Sequence, residues 1–307
     1  MKRVLIAAPI SEKFKKFLIE KNYELRYLGE TIIEAELQAT IVGIVTSNRL
    51  LLDKNNLQQY SALQWIARLG SGMEIIDTEY CTLHNIFFCS APQGIANSVA
   101  EHTIGMLLGL IHRISSANNE IKAGKWIREP NRGIELENQV VGIIGYGHTG
   151  SAVAKKLAAF TNHILVYDKY KTGFSNTYLK ETSLAELQEK ASIISFHVPL
   201  KSDTFHYYND AFCDAMQHNH ILINTSRGAV ANTDSILKGL EKGKISGACL
   251  DVLEEEKNIE KVLTETNNKV QQFYKYQVIL TPHIAGYSLN AIEKMSQELL
   301  DQLKIIL

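Results

Sequence analysis

Three glycines spaced G-x-G-x-x-G, in VVGIIGYGHTG (residues 140–150), limit the folds open to this chain more than any other feature. Residues 140–144 are apolar and read as a strand, and residues 149–160 carry the apolar spacing of a helix. Gly145 permits the tight turn, Gly147 lets backbone approach a ligand, and Gly150 lets helix and strand pack closely. The start of the helix then offers unpaired N–H groups and a positive dipole end, which suits phosphate. Glycines alone also make a plain turn. Asp168 narrows the reading: it ends the next apolar run (ILVYDK), 18 residues past Gly150, where a carboxylate meets ribose hydroxyls. The pattern implies a dinucleotide cradle formed by Gly145, Tyr146, Gly147, His148, Thr149 and Gly150. The charge on Asp168 repels a 2′-phosphate and so favours NAD over NADP.

The rest of the chain repeats this alternation. Residues 4–8, 41–46, 64–68 and 86–89 read as strands, with helix or helical turn at 11–21, 32–38 and 55–59. Beyond the cradle, strands are expected at 164–167, 193–196, 221–224, 248–250 and 278–280, and helices at 184–189 and about 290–306. Nearly continuous apolar strands separated by helices mean parallel sheets covered on both faces. In NSVAEHTIGMLLGLIHRI, Ser98 and Glu101 have capping-box spacing, and Val99, Met106, Leu107, Leu110, Ile111 and Ile114 form a broad apolar face. A long helix lying between two cores is expected there. Ser183 and Glu186 repeat the capping spacing. The stretch at 123–138 is a polar connection, and 254–276 reads as a polar surface excursion. The chain's 307 residues suggest two doubly wound lobes.

Composition removes whole classes of function. A net charge of −1 and the lack of any long Lys/Arg run argue against nucleic acid as a partner. Cys81, Cys89, Cys213 and Cys249 are scattered, with no CxxC pair, so free thiols in a reducing compartment are expected and a metal site is not. The start, MKRVLIAAPISEKFKK, mimics a signal peptide, yet its apolar run at 4–10 is short and fits a first strand. No stretch approaches a membrane span, and a cytoplasmic location is expected.

In open parallel sheets, ligands lie beyond the carboxyl ends of the strands. There the chain places His197, Val198 and Pro199 (in SFHVPL), Thr225, Ser226 and Arg227 (LINTSRG), Asp251 (ACLDV) and His283 (ILTPHIAG). Each has a plain structural reading: Arg227 in an ion pair, Asp251 as a cap, His197 and His283 as packed histidines. Together they suit hydride transfer to a 2-keto acid. A carboxylate and its neighbouring carbonyl need a planar permanent cation, which is Arg. The oxygen that gains negative charge needs a proton from a group titrating near neutrality, which is His. A carboxylate within about 4–6 Å holds such a His protonated.

These residues resemble the D-isomer-specific 2-hydroxyacid dehydrogenases, through RLGSGMEIID, NSVAEH, GIIGYGHTG with Asp168, HVPL, NTSRGAV, GACLDVLEEE and TPHIAG. The resemblance spans essentially the whole chain. It implies a catalytic set of Arg227, His283 and a glutamate five residues past Asp251, which is Glu256, or Glu255 or Glu254 if the register is shorter by one or two. It further implies that the loop Gly70, Ser71 and Gly72 helps hold the substrate carboxylate, with Arg227 and His283. Asp251 and the backbone after His283, as far as Gly286, would hold the nicotinamide carboxamide. From their place after a strand, His197, Val198 and Pro199 can wall an adenine pocket, and Thr204, Thr225 and Ser226 are further expected cofactor contacts. The implied fold is α/β. A flavodoxin-like substrate lobe (1–96 plus 287–307) and a Rossmann NAD lobe (97–286) would flank an active-site cleft. A homodimer through the 98–114 helix region is likewise implied.

Three departures touch specificity: Lys257 stands where the family usually has Pro, Met73-Glu74 replace a commoner Val/Thr-Asp, and the segment between Glu256 and His283 is lengthened. No regulatory domain is expected after Leu307, which suggests the short form. The substrate expected from overall resemblance is 3-phosphoglycerate or a small relative, with Arg49, Arg128 and Arg132 as candidate phosphate contacts. Two rivals are an NAD(H)-sensing, corepressor-like binding protein and an erythronate-4-phosphate oxidase, whose relatives carry a further C-terminal domain.

Overall fold

The computed structural model describes residues 2–29, 35–48, 50–254, 256, 263–264 and 268–307. These fall into two compact units, one of Met1–Ser98 with Gly286–Leu307, the other of Val99–Ala285.

The first unit holds five parallel strands: β1 (Arg3–Ala7), β2 (Glu24–Tyr27), β3 (Ile41–Thr46), β4 (Trp65–Arg68) and β5 (Phe87–Ser90). Their order, β2-β1-β3-β4-β5, is that of a flavodoxin-like sheet. Strand β3 is mostly apolar and buried at every position, as a strand covered on both faces must be. Phe14 and Leu18 pack on one face with Met295, Leu299 and Leu303 of the C-terminal helix Leu289–Leu303. Leu52, Leu57, Ile66 and Ile76 fill the other. The C-terminal helix is tied down by a bond from the Ser11 N–H to the Ser296 hydroxyl (3.0 Å).

The second unit holds seven parallel strands: β6 (Val141–Ile144), β7 (Ile164–Tyr167), β8 (Lys180–Glu181), β9 (Ile193–Phe196), β10 (His220–Asn224), β11 (Ile245–Leu250) and β12 (Val278–Leu280). Their order is β12-β11-β10-β9-β6-β7-β8, so the chain reverses direction across the sheet between β6 and β9. That reversal opens a crevice for a ligand. Alternate strand residues serve the two faces. Val141, Ile143 and Val166 meet Leu107, Leu110, Val153 and Leu157 on one side. Ile144, Ile194 and Leu222 meet Leu187, Phe212, Leu240 and Phe273 on the other.

Four local expectations are corrected. The long helix runs Pro92–Ile111 and does not begin at Ser98. Proline suits the first helical turn because its missing N–H would have no partner there, so Pro92 outcompetes the Ser98–Glu101 spacing. By length and apolarity this helix reaches a membrane span, contrary to expectation; 56% of its apolar window is buried in the protein, which accounts for its composition. Strands β2 and β8 were not anticipated. The 254–276 stretch is not wholly surface, since its helix Lys269–Phe273 buries Val270 and Phe273 in the core.

Candidate active site

Strands β10, β11 and β12 are neighbours, and each ends within three residues of a chemically capable side chain: Arg227, Asp251 and His283. Asn224 is level with Leu250, and Leu250 with Leu280. The ladder carries past the strand ends: the Asp251 N–H donates to the Asn224 carbonyl (3.0 Å), and the His283 N–H to the Asp251 carbonyl (2.8 Å). Arg227, Asp251 and His283 are therefore delivered side by side at one carboxyl edge.

Buried polar side chains shape the loops that follow. Asn224 accepts from both the N–H and the hydroxyl of Ser226 and donates to the Arg227 carbonyl (2.9 Å), building the turn that presents Arg227. Asp251, 1% exposed, accepts from the Thr281 hydroxyl (2.6 Å) and from the N–H groups of Ile284 and Ala285 (both 2.9 Å). A buried carboxylate needs such donors. Together they clamp the His283 loop, where His283 takes a left-handed backbone (φ 54°) that non-glycine residues rarely adopt.

The ring of His283 finds its carboxylate. Its Nδ1 lies 2.8 Å from Oε2 of Glu256, whose Oε1 accepts the Leu253 N–H (2.8 Å). The bond to Glu256 raises the His283 pKa, against the lowering effect of burial; the charges of Glu256 and Asp251 add to the rise, and Arg227 opposes it. The guanidinium of Arg227 is thus near enough for its charge to reach the imidazole. Glu254 turns the other way, and Glu255 lies outside the described residues.

The cradle occupies the β6/β9 reversal. Gly145 has φ 95°, and a methyl on Gly150 would stand 2.0 Å from the Gly145 carbonyl oxygen, so only glycine fits there. The Cβ side of Gly147 is open for 4 Å, which leaves space for a pyrophosphate at the start of helix His148–Leu157. Asp168 accepts the N–H groups of Tyr146 (2.6 Å), Tyr170 and Lys171 (both 2.9 Å). Burial alone would raise its pKa; these three bonds and the Lys171 ammonium outweigh that and hold it below the ordinary value. An ionised carboxylate with about four acceptor positions keeps about one for a ribose hydroxyl. Beside it lies a cavity of about 610 Å³ lined by Tyr146, Gly147, His148, Ser151, Lys171 and Phe174, among others. These features fit a dinucleotide.

Other expected residues have mixed placements. Val198 lies against Gly145, and His197 is buried behind the cradle with Nε2 on the Ser195 hydroxyl (2.8 Å). The Thr204 hydroxyl is engaged within its own turn, on the Pro199 carbonyl (2.6 Å), and that of Thr225 meets Thr103 (3.0 Å). Gly286 opens the segment returning to the first unit. Ser71 and Gly72 belong to that unit, just past the end of β4. Arg49 lies outside the described residues, and Arg132 pairs with Glu129 (2.9 Å). Among the supporting residues that carried no assigned role is His102, whose Nε2 lies 3.0 Å from the Thr281 hydroxyl and 3.5 Å from Asp251. Its signal was its place in the NSVAEH stretch.

Comparison with known proteins gives concordant results. Residues 104–285 match the family described as D-isomer specific 2-hydroxyacid dehydrogenase, NAD binding domain. A glyoxylate reductase of Thermofilum pendens is 34% identical over 81% of this chain and 74% of its own length. A D-3-phosphoglycerate dehydrogenase of Bacillus subtilis is 28% identical over 98% of this chain but only 57% of its own. Among solved structures, a D-lactate dehydrogenase from Aquifex aeolicus complexed with NAD and lactic acid superposes with a TM-score of 0.85. It is 28% identical, covering 99% of this chain and 95% of that one.

Proposed function

Because this chain belongs to the D-isomer-specific 2-hydroxyacid dehydrogenases, we propose that Arg227, Glu256 and His283 carry its NAD-dependent oxidoreduction of a small D-2-hydroxy acid. The observation that carries the reading is the His283–Glu256 bond of 2.8 Å, on a histidine whose pKa is raised.

NADH, when bound, supplies the hydride to the keto carbon. The protein's part is to hold the substrate and move one proton. The Arg227 guanidinium clamps the carboxylate, a geometry that its fork of donors matches and a lysine does not. The Nδ1–H of His283 donates to Glu256, which fixes the ring and leaves Nε2–H to protonate the forming alkoxide. In the reverse direction neutral His283 accepts that proton. The loop with Ser71 and Gly72 contributes backbone N–H groups to the carboxylate, and the first unit serves as the substrate lobe. A purely NAD(H)-sensing role would have no use for a histidine whose pKa a neighbouring carboxylate raises.

The substrate we propose is 3-phosphoglycerate or a related small hydroxy acid. The Arg132–Glu129 pair weakens the case for a phosphate contact there, and Arg128 stays a candidate. A panel of glyoxylate, pyruvate, hydroxypyruvate and 3-phosphohydroxypyruvate, each with NADH and with NADPH, tests both parts. Preference for 3-phosphohydroxypyruvate with NADH supports the full reading; activity with none of them would overturn it.

The protein is proposed to be cytoplasmic, on its four buried free thiols, and a homodimer. Met106, Leu107, Leu110 and Ile111 serve the unit's own core, so the pairing face shifts to helix Ile114–Lys122, which buries none of its residues, and to Trp126, 82% exposed.

A further inference from the structure

Glu256 can serve His283 only if the short segment carrying it is held in place, and the glutamate of a second histidine–glutamate pair lies two residues before it. Glu254 puts Oε1 2.5 Å from Nε2 of His206, and its Oε2 accepts the N–H of Thr233. Thr233 is the first residue of helix Thr233–Glu241, where unpaired N–H groups and the dipole favour a carboxylate. Burial would raise the Glu254 pKa, but the Thr233 bonds and His206 outweigh it and keep it low.

His206 is itself pinned. Like His283, it takes a left-handed backbone (φ 49°). Its N–H donates to the Ala229 carbonyl (2.8 Å), two residues past Arg227, and its ring stacks on Phe205 at 3.9 Å. The Arg227 loop and the glutamate segment also touch through backbone: a methyl on Gly228 would lie 2.0 Å from the Leu253 carbonyl oxygen. His206 therefore grips the Arg227 loop with its backbone and the Glu256 segment with its ring.

We propose that His206 and Glu254 are positioning residues for the reaction, locking the Glu256 segment against the Arg227 loop so that Glu256 meets His283 in register. This rests on the catalytic reading of His283. An ordinary stabilising pair would affect only folding. A positioning pair also changes the chemistry, because Glu256 is the main support of the His283 charge, ahead of Asp251 and against Arg227. Near His206 stand Glu254 and the Asn232 carboxamide; near Glu254 stand Thr233 and His206.

The test uses Glu254→Ala, His206→Ala and His206→Gln in the full chain, with His283→Asn and Glu256→Gln as references. Each is measured for keto-acid reduction against pH, NADH affinity by fluorescence, and Tm. A small misplacement at a reacting centre is worth up to about 100-fold in rate. Both alanine variants are expected to lower kcat by about tenfold. They should shift the alkaline loss of reduction to lower pH, as Glu256→Gln does, with NADH affinity within about twofold of wild type. His206→Gln keeps an N–H donor for Glu254 and should restore most of kcat, and the double alanine variant should match the singles. If His206→Gln and any folded alanine variant lose Tm yet keep the wild-type pH profile and kcat, the inference fails while the His283 assignment stands. If His283→Asn itself turns over like wild type, both fail.

Discussion

The ends of β9 and β12 each present a histidine at the carboxyl edge of one parallel sheet, and the two could hardly differ more. His197, after β9, is 9% exposed, and among the described residues its ring bonds only to the Ser195 hydroxyl; burial pushes its pKa down to about 4. His283, after β12, is 36% exposed at its side chain and has Glu256 on Nδ1, which raises its pKa. Position at a strand end does not make a histidine an acid. A carboxylate partner and access do, and here only one of the two has both.

Changing these groups sharpens the contrast. The largest effect belongs to His283→Asn, which removes the proton but leaves the cradle. Turnover should fall by about 100- to 10,000-fold, with NADH binding, read by fluorescence, unchanged. Parallel loss of both would place His283 in the scaffold and erase the difference from His197. Arg227→Lys keeps the charge but not the fork, and should lower kcat/KM for the keto acid by about 100-fold at constant NADH affinity.

Stability should separate the histidines by sign. His197 has a depressed pKa, so its contribution is present above the ordinary 6.5 and is lost as pH falls towards about 4. His283 has a raised pKa, so its contribution is present below 6.5 and is lost as pH rises through the higher folded value. Tm measured against pH for His197→Asn and His283→Asn should deviate from wild type at opposite ends of the range; deviations at the same end would contradict the contrast. The smallest effect is that of His197→Asn at neutral pH. It breaks the Ser195 bond for about 1–3 kcal/mol and should leave the pH profile of the reaction untouched.

The parallel sheets were legible because β3, β9 and β10 each carry a run of apolar residues on both faces, a pattern that double-sided burial explains. The edge strand β2, ELRY, is half-polar and only partly buried, so its composition carries no such signal. At the site, Arg227, Asp251 and His283 stood out because charged groups after buried runs are costly without partners. Their supports did not. His206 and Glu254 are 48 residues apart, as are no elements of a local motif, and Asn224 and Thr281 look like ordinary loop residues until the ladder sets them beside Ser226 and Asp251. Phe273, in a polar stretch, reaches the core through a short helix too brief to show periodicity.

The most direct check is the pH dependence of both reaction directions in wild type and Glu256→Gln. Reduction should decline, and hydroxy-acid oxidation rise, through one pKa above 6.5 in the wild type, and both should move together to lower pH in the variant. Two directions that respond to pH in the same sense, or a variant whose profiles overlay the wild type, would mean that the His283–Glu256 pair does not carry the proton.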